Sequence, residues 1–408
     1  MTIINRHHSH DHLLFALLAL WLLIAFLWVA HSPALAQTIN DGEITLAIDR
    51  LLMSDQGVSA HALDVQTSDG IVTVSGVVSH LLARERAAQI AATVKGVRAV
   101  VNLIEVSPKM FPDAVLRSEI AQALADDPAT DLLNIEVTVN NATAMLSGKA
   151  DSWSQEQLCL AVAKGVRGVK AVTSKMEVSQ QTKRPDQEIE AEIERRLFFD
   201  VWIDESLITV KVKFGRVELG GAVASLAEKQ RAFTKAWVAG VAAVEDKNLV
   251  VDWSLLDEMR RGPVTPPAQS DMQTEQALKD AFKNDPRLSS LDLDVSFETG
   301  VATLRGLVSS LQARKAAEAD ARNTRGVWQV RNHLKVRPEM APTTRPKPDF
   351  NAKLAEKVRL SLLRNPYTHQ HKIGVTVNDQ MVILDGTVSS TVEKAVSYTH
   401  LTLPTTPY

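Results

Sequence analysis

A nine-residue string of the form apolar-x-apolar-x-Gly-x-apolar-x-(Ser/His) occurs five times in this chain of 408 residues, and its spacing constrains the fold more than any other feature. The copies are Val72/Val74/Gly76/Val78/His80, Ala144/Leu146/Gly148/Ala150/Ser152, Val217/Leu219/Gly221/Val223/Ser225, Ala302/Leu304/Gly306/Val308/Ser310 and Val382/Leu384/Gly386/Val388/Ser390. An aspartate stands 35 residues before the anchor glycine in four copies, at Asp41, Asp113, Asp186 and Asp271, and Asp349 stands 37 before Gly386. A second Asp or Asn follows at Asp55, Asp127, Asp200, Asp285 and Asn365. A second glycine trails the anchor by 19 or 20 residues at Gly96, Gly168, Gly240 and Gly326. Chance does not keep such a register, so the chain is an array of five small modules.

Each landmark has a physical reading. The first aspartate suits a helix N-cap, its carboxylate accepting orphan backbone N–H groups at the positive end of the helix dipole. Apolar residues follow at helical spacing, as in Ile44/Ile48/Leu51/Leu52, and the helix stops near the second Asp/Asn, which Pro128, Pro286 and Pro366 follow in three copies. Two alternating segments then flank a tight turn such as Ser68-Asp69-Gly70, the pattern of a β-hairpin. An alanine-rich helix, Leu81–Val94 in the first copy, runs to the second glycine, a natural C-terminal stop. A last alternating segment closes the unit, at Val97–Val106, Val169–Val178, Val241–Val250 and Val327–Val336. The order is αββαβ, an α+β module whose three-stranded sheet carries two helices on one face. With only 5% aromatic residues, the cores are expected to be small and aliphatic.

The modules span residues 40–107, 112–179, 185–252, 270–337 and, truncated, 349–397. Proline-rich linkers at 253–269 and 338–348 favour semi-rigid spacers, which predicts a compact triplet followed by two looser modules. Only 22 residues follow Gly386, so the fifth copy lacks its last strand. Residues 398–408 read as a non-native tail, since two prolines and four threonines among the last ten make a poor helix.

At the other end, Leu13–Ala30 is an unbroken apolar run preceded by Arg6 and followed by Ala34-Leu35-Ala36. This is the layout of a signal peptide over residues 1–36, with cleavage between Ala36 and Gln37; a run of 18 also reaches the length of an uncleaved membrane anchor. Either way the rest is exported. The single cysteine, Cys159, excludes a disulfide framework and a lipid-modified cysteine at the cleavage point.

Residue patterns of chemistry are missing. The chain contains no P-loop, dinucleotide fingerprint, His-Glu-x-x-His, Gly-x-Ser-x-Gly or EF-hand pattern, and no cofactor is called for. Net charge is -3, from 45 basic and 48 acidic residues, which argues against a dedicated nucleic-acid binder. Cys159 reads as helix core, not nucleophile. His369 and His371 read as an exposed loop before the fifth hairpin, and His7, His8, His10 and His12 lack a scaffold to fix metal geometry.

The αββαβ order, the string around each anchor glycine and the later strings Gly96-Val97-Arg98-Ala99-Val100-Val101-Asn102-Leu103-Ile104 and Gly326-Val327-Trp328-Gln329-Val330-Arg331-Asn332-His333-Leu334 together resemble the BON domain family of bacterial osmotically induced and nodulation-associated proteins. Repeat 2 departs with Ser174 at the asparagine position. The resemblance covers about residues 40 to 397 and implies a non-enzymatic module of the bacterial envelope that binds phospholipid surfaces or envelope partners, including a role in osmotic or envelope stress. A periplasmic protein–protein scaffold or chaperone-like factor is the alternative. Charge refines this. Repeats 1 to 3 are net acidic, whereas repeat 4 and the segment through repeat 5 each carry +2. Basic residues are attracted to anionic headgroups by about 1 kcal/mol each. Arg314, Arg322, Arg325, Arg331 and Lys335 of repeat 4 are therefore the candidate headgroup contacts, with periplasm or the periplasmic side of the inner membrane as the expected location.

Overall fold

A two-residue turn with both central residues at positive φ organises each of the first four modules: Asp69-Gly70, Asn141-Ala142, Phe214-Gly215 and Thr299-Gly300. That is the type I′ geometry, whose twist matches that of paired strands. The computed structural model describes residues 40–58, 62–131, 133–179, 184–254, 269–288, 291–336, 348–378 and 381–399. The hydrophobic N-terminal segment, the Ala36/Gln37 junction, the early histidines, most of both proline-rich linkers and residues 400–408 lie outside them.

In repeat 1, helix α1 (Asp41–Ser54) precedes the hairpin β1 (Leu63–Ser68) and β2 (Ile71–Val78), helix α2 (Leu81–Ala92) and strand β3 (Ala99–Val106). Repeat 2 follows as α3 (Asp113–Asp126), β4 (Ile135–Asn140), β5 (Thr143–Ala150), α4 (Trp153–Lys164) and β6 (Ala171–Val178). Repeat 3 has α5 (Asp186–Phe198), β7 (Ile208–Lys213), β8 (Arg216–Val223), α6 (Leu226–Lys235) and β9 (Ala243–Val251). Repeat 4 comprises α7 (Asp271–Asn284), β10 (Leu293–Glu298), β11 (Val301–Val308), α8 (Leu311–Arg322), β12 (Gln329–Asn332) and β13 (Lys335–Val336). Repeat 5 shows α9 (Pro348–Arg364), β14 (Ile373–Asn378), β15 (Met381–Gly386) and α10 (Thr391–Thr399). The predicted last strand of repeat 4 is thus two ladders, but both pair β11 in one register, Val301 with Gln329 and Leu307 with Lys335.

The hairpin strand that precedes the second helix is central, antiparallel to the first strand and parallel to the last, as β1-β2-β3, β4-β5-β6 and β7-β8-β9. The intervening helix supplies the crossover that a parallel pair needs. Burial alternates accordingly. Val72, Val74 and Val78 face Ile44, Ile48, Leu52, Ala83, Ala87 and Ala91, all buried, while Ile71 and Val77 are exposed on the other face. The cores are aliphatic, and they are not strictly private: Leu81 and Val106 of repeat 1 join the repeat 2 cluster.

The two looser modules are not loose. The Arg195 guanidinium of α5 bonds Asp280 of α7 at 2.8 Å, and Asn284 donates to Glu192 at 3.3 Å. On the other side Arg364 of α9 pairs with Glu119 and, at 2.9 Å, with Asp126 of α3, which Lys357 also reaches at 3.1 Å. In both cases first helices pair antiparallel through equivalent positions. The backbone repeats the arrangement: Arg325 N–H donates to Phe199 O at 2.6 Å and Arg167 N–H to Arg364 O at 2.7 Å. Repeat 4 is docked on repeat 3, and repeat 5 on repeat 2, by one recurring interface. Tyr367 further ties repeat 5 to repeat 1 through His80, with rings 4.5 Å apart, and through Gly57 O at 3.3 Å.

Candidate functional site

The repeated landmarks are structural, though not all in the predicted way. Four of the five first aspartates, Asp41, Asp113, Asp186 and Asp271, are not helix caps. Pro112 and Pro185 occupy the N-cap positions of α3 and α5 without a side-chain bond, and Ser270 caps α7. Each aspartate is the first helical residue and reaches across to the hairpin turn. Asp41 accepts from Asp69 and Gly70 N–H at 2.8 and 2.9 Å, Asp113 from Asn141 and Ala142 at 2.9 and 3.0 Å, and Asp186 from Phe214 and Gly215 at 2.7 and 2.9 Å. Asp271 accepts from Thr299 at 3.2 Å. The side chain of Asp349 lies outside the described residues; by register it is Asn351 that stands 35 residues before Gly386. The caps are instead the last residues of the repeated string. Ser152, Ser225, Ser310 and Ser390 accept from the N–H three residues on, and His80 Nδ1 does the same for Ala83 at 3.0 Å.

The anchor glycines sit where the first hairpin strand begins. A Cβ at Gly76 would lie 2.0 Å from Ala62 O and one at Gly221 1.9 Å from Leu207 O, and both residues have positive φ. Gly148, Gly306 and Gly386 share that conformation, as do Gly96, Gly168, Gly240 and Gly326 past the second helix. Asn102 and Asn332 bind the last strand to the second helix, donating to Arg84 O and Arg314 O at 3.1 Å, and in repeat 2 Ser174 substitutes by donating to Glu156.

The other singled-out groups are likewise built in. Cys159 is fully buried in α4, and burial with the nearby Asp127 charge pushes its thiol up to about 12, so no thiolate forms near neutrality. His369 and His371 are not in an exposed loop. His369 Nδ1 lies 2.8 Å from Pro366 O, and His371 Nε2 lies 3.1 Å from the Glu393 carboxylate, both groups mostly covered. Among the described residues no group of three His, Cys, Asp or Glu side chains can hold a metal ion.

The five predicted headgroup contacts do not form one patch. Arg325 is spent on the interface with repeat 3, bonding Glu205 at 2.9 Å and Ile203 O at 3.0 Å and lying 4.9 Å from the Phe198 ring, so it is withdrawn from solvent contact with a ligand. Arg322 pairs with Glu318 one turn back at 2.6 Å, and Arg314 is half-buried on α8, on the helical side of the sheet. Only Arg331 and Lys335 lie together, both exposed on the open sheet face. Sequence reasoning missed two companions. Alternation along β11 puts Arg305 on the same face, and the shared register of β12 and β13 against β11 sets the exposed His333, between those two strands, level with it. The resulting row of Arg305, Arg331, His333 and Lys335 is bounded by Asp294, opposite Arg305, and by Glu298. It can bind anions by charge and hydrogen bonding, and it has no nucleophile or paired acid and base.

A second feature marks the junction of repeats 2, 3 and 4. Trp153 and Trp237 stack with centroids 5.1 Å apart and planes 6° from parallel, beside a cavity of about 220 Å³ that Arg184, Glu192 and Lys283 also line. Next to it Arg196, Lys235 and Asp320, all partly covered, gather around the buried Asp200. Burial, with Asp285 nearby, raises Asp320 to about 7, whereas the Lys235 and Arg231 charges outweigh burial at Asp200 and hold its carboxyl low.

Comparison with known proteins fits this architecture. The chain is 29% identical over 141 residues to Osmotically-inducible protein Y of Escherichia coli strain K12, covering 33% of this chain and 70% of that protein. Two solved structures of CdsD, a structural protein of the Type III secretion system of Chlamydia trachomatis, align at 14% and 12% identity. They cover 53% and 52% of this chain and 98% and 100% of theirs, with TM-scores of 0.15 and 0.14, too low for any inference. The BON domain profile matches residues 40–108, 112–180, 185–252, 270–338 and 351–396, each of the five modules in turn, and the chain belongs to the BON domain family.

Proposed function

We propose that this protein is an exported, non-catalytic envelope protein, active in osmotic or envelope stress, whose tandem BON modules bind anionic phospholipid surfaces. Family membership and the similarity to an osmotically inducible protein point to a non-catalytic role. The apolar run Leu13–Ala30 with Ala34-Leu35-Ala36 supports export to the periplasm, or retention on its membrane. No helix among the described residues is long and apolar enough to cross a membrane. The observation that carries the lipid reading is the exposed row Arg305, Arg331, His333 and Lys335 on the open sheet face of repeat 4. The test is co-sedimentation of the full chain with phosphatidylglycerol vesicles against phosphatidylcholine vesicles. Binding to the former alone, weakened by salt and lost in the Arg305→Glu/Arg331→Glu/Lys335→Glu variant, is expected; equal binding by that variant overturns the assignment to this face.

The scaffold reading is favoured by a different observation. The open sheet face of repeat 1 exposes Ile71, Val77, Val101 and Leu103 on adjacent strands, an apolar surface suited to a protein partner. Retention of one stable envelope partner by the charge-reversed chain, lost on replacing Val101 and Leu103 by Asp, supports it.

A further inference from the structure

We propose that the tip of the β7–β8 hairpin is a membrane anchor that inserts Phe214 into an anionic lipid surface. The inference rests on the lipid-binding reading but on a different module and a different kind of contact. Phe214 is 93% exposed, the most exposed of the large apolar side chains among the described residues. It also has φ of +53° at the first central position of a type I′ turn, where repeats 1, 2 and 4 carry Asp69, Asn141 and Thr299. Asn and Asp tolerate this backbone region, and a bulky side chain there is an outlier. Packing does not account for a phenylalanine at this exposed place, and the turn itself would be better served by asparagine or aspartate, as in repeats 1 and 2.

The surroundings select the partner. Lys213 and Arg216 face each other across the turn and Lys211 follows on the same open face, all exposed. The acids near them are engaged: Asp186 holds the turn N–H groups, Glu245 lies between Arg216 at 2.9 Å and Lys247 at 3.0 Å, and Glu218 accepts from Asn248. Lys211 and Lys213 make no ion pair among the described residues. A lone aromatic ringed by cations lacks the apolar patch in which a protein hot spot is embedded. It matches the headgroup boundary of an anionic bilayer, where the ring enters the acyl edge and the cations meet phosphate. The Asp186 clamp holds the backbone of the tip fixed, so little conformational entropy is lost on insertion.

Trp328, exposed beside the repeat 4 turn with its indole N–H 3.1 Å from Thr299 O, gives an internal contrast. Because α5 and α7 are antiparallel and each clamps its own turn, the two tips lie at opposite ends of the helix pair, about 25 Å apart. One flat bilayer end-on to the pair receives the first and not the second.

The experiment uses the full chain with a Phe214→Cys substitution labelled with an environment-sensitive fluorophore; Cys159, buried with its thiol raised to about 12, does not compete for the label. On phosphatidylglycerol vesicles the label is expected to shift to the blue and to be quenched by a nitroxide in the acyl region, while a label at Trp328→Cys is not. Phe214→Asn is expected to weaken vesicle binding by about tenfold, with a melting temperature equal to or above the parent. If the parent chain binds vesicles but the 214 label stays aqueous or Phe214→Asn binds as well, the anchor is wrong and the lipid reading stands. If the parent does not bind vesicles at all, both fall.

Discussion

Asp113 and Ala142, 29 residues apart, are joined by a 3.0 Å hydrogen bond from the Ala142 N–H to the Asp113 carboxylate, and the same carboxylate takes the Asn141 N–H at 2.9 Å. One side chain thereby ties the start of a helix to the tip of a hairpin, a span no local rule of helix capping covers. Asp113→Ala is expected to cost about 1.5 to 3 kcal/mol, the range for hydrogen bonds to a charged acceptor, and Asp113→Asn, with a single uncharged acceptor oxygen, less than that. Urea denaturation of both variants checks the order; equal stability of Asp113→Ala and the parent rejects the clamp.

The anchor glycines should be graded by the space around them. A Cβ would meet backbone oxygen at 1.9 Å at Gly221 but at 3.1 Å at Gly306, both at positive φ. Gly221→Ala is expected to destabilise by about 3 kcal/mol or more and Gly306→Ala by about 1 to 2, read from denaturation midpoints.

His80 makes stability depend on pH in a predictable window. Burial, then the neighbouring His369, lowers its pKa to about 4, and its Nδ1 must be unprotonated to accept the Ala83 N–H. A group whose folded pKa is depressed below its unfolded value of 6.5 binds its proton more readily when unfolded. Its contribution is thus fully present above about pH 6.5 and is lost as pH falls toward 4. His80→Ser, which installs the cap of the other four repeats, should flatten stability over that interval in melts from pH 4 to 7.

The Arg325 side chain is one of the groups that dock repeat 4 on repeat 3. Its guanidinium bonds Glu205 at 2.9 Å with both groups about three-quarters covered. A double-mutant cycle of Arg325→Ala and Glu205→Ala should give a coupling of about 1 to 2 kcal/mol. Protease sensitivity of the 253–269 linker should rise in Arg325→Ala; additive single effects would show the pair to be incidental.

The modular order was legible in the sequence because it is set by short-range chemistry. Period-2 and period-3.6 apolar patterns, a glycine where a Cβ would strike a carbonyl and a two-residue turn are written within a few residues of one another, so four αββαβ units and a truncated fifth are legible in the sequence. The role of a side chain that acts across distance could not. Asp41, Asp113 and Asp186 have the spacing and charge of helix caps, and only the folded module brings the turn N–H groups to them. Ser152, Ser225, Ser310 and Ser390, by contrast, cap their helices from the position immediately before each, a purely local arrangement.

What tertiary structure alone decided is which surfaces remain outside. Arg325 looked like the equal of Arg331 in a basic run, yet one lies against Glu205 and Phe198 and the other faces solvent, because antiparallel pairing of α5 with α7 covers the end of α8 and leaves the sheet face open. The fold of repeat 5 itself sets His371 against Glu393, and ion pairs between first helices draw repeat 4 onto repeat 3 and repeat 5 onto repeat 2 despite proline-rich linkers. Within a repeat, local spacing determines the fold; between repeats, complementary charges at equivalent helix positions determine which residues are left to act.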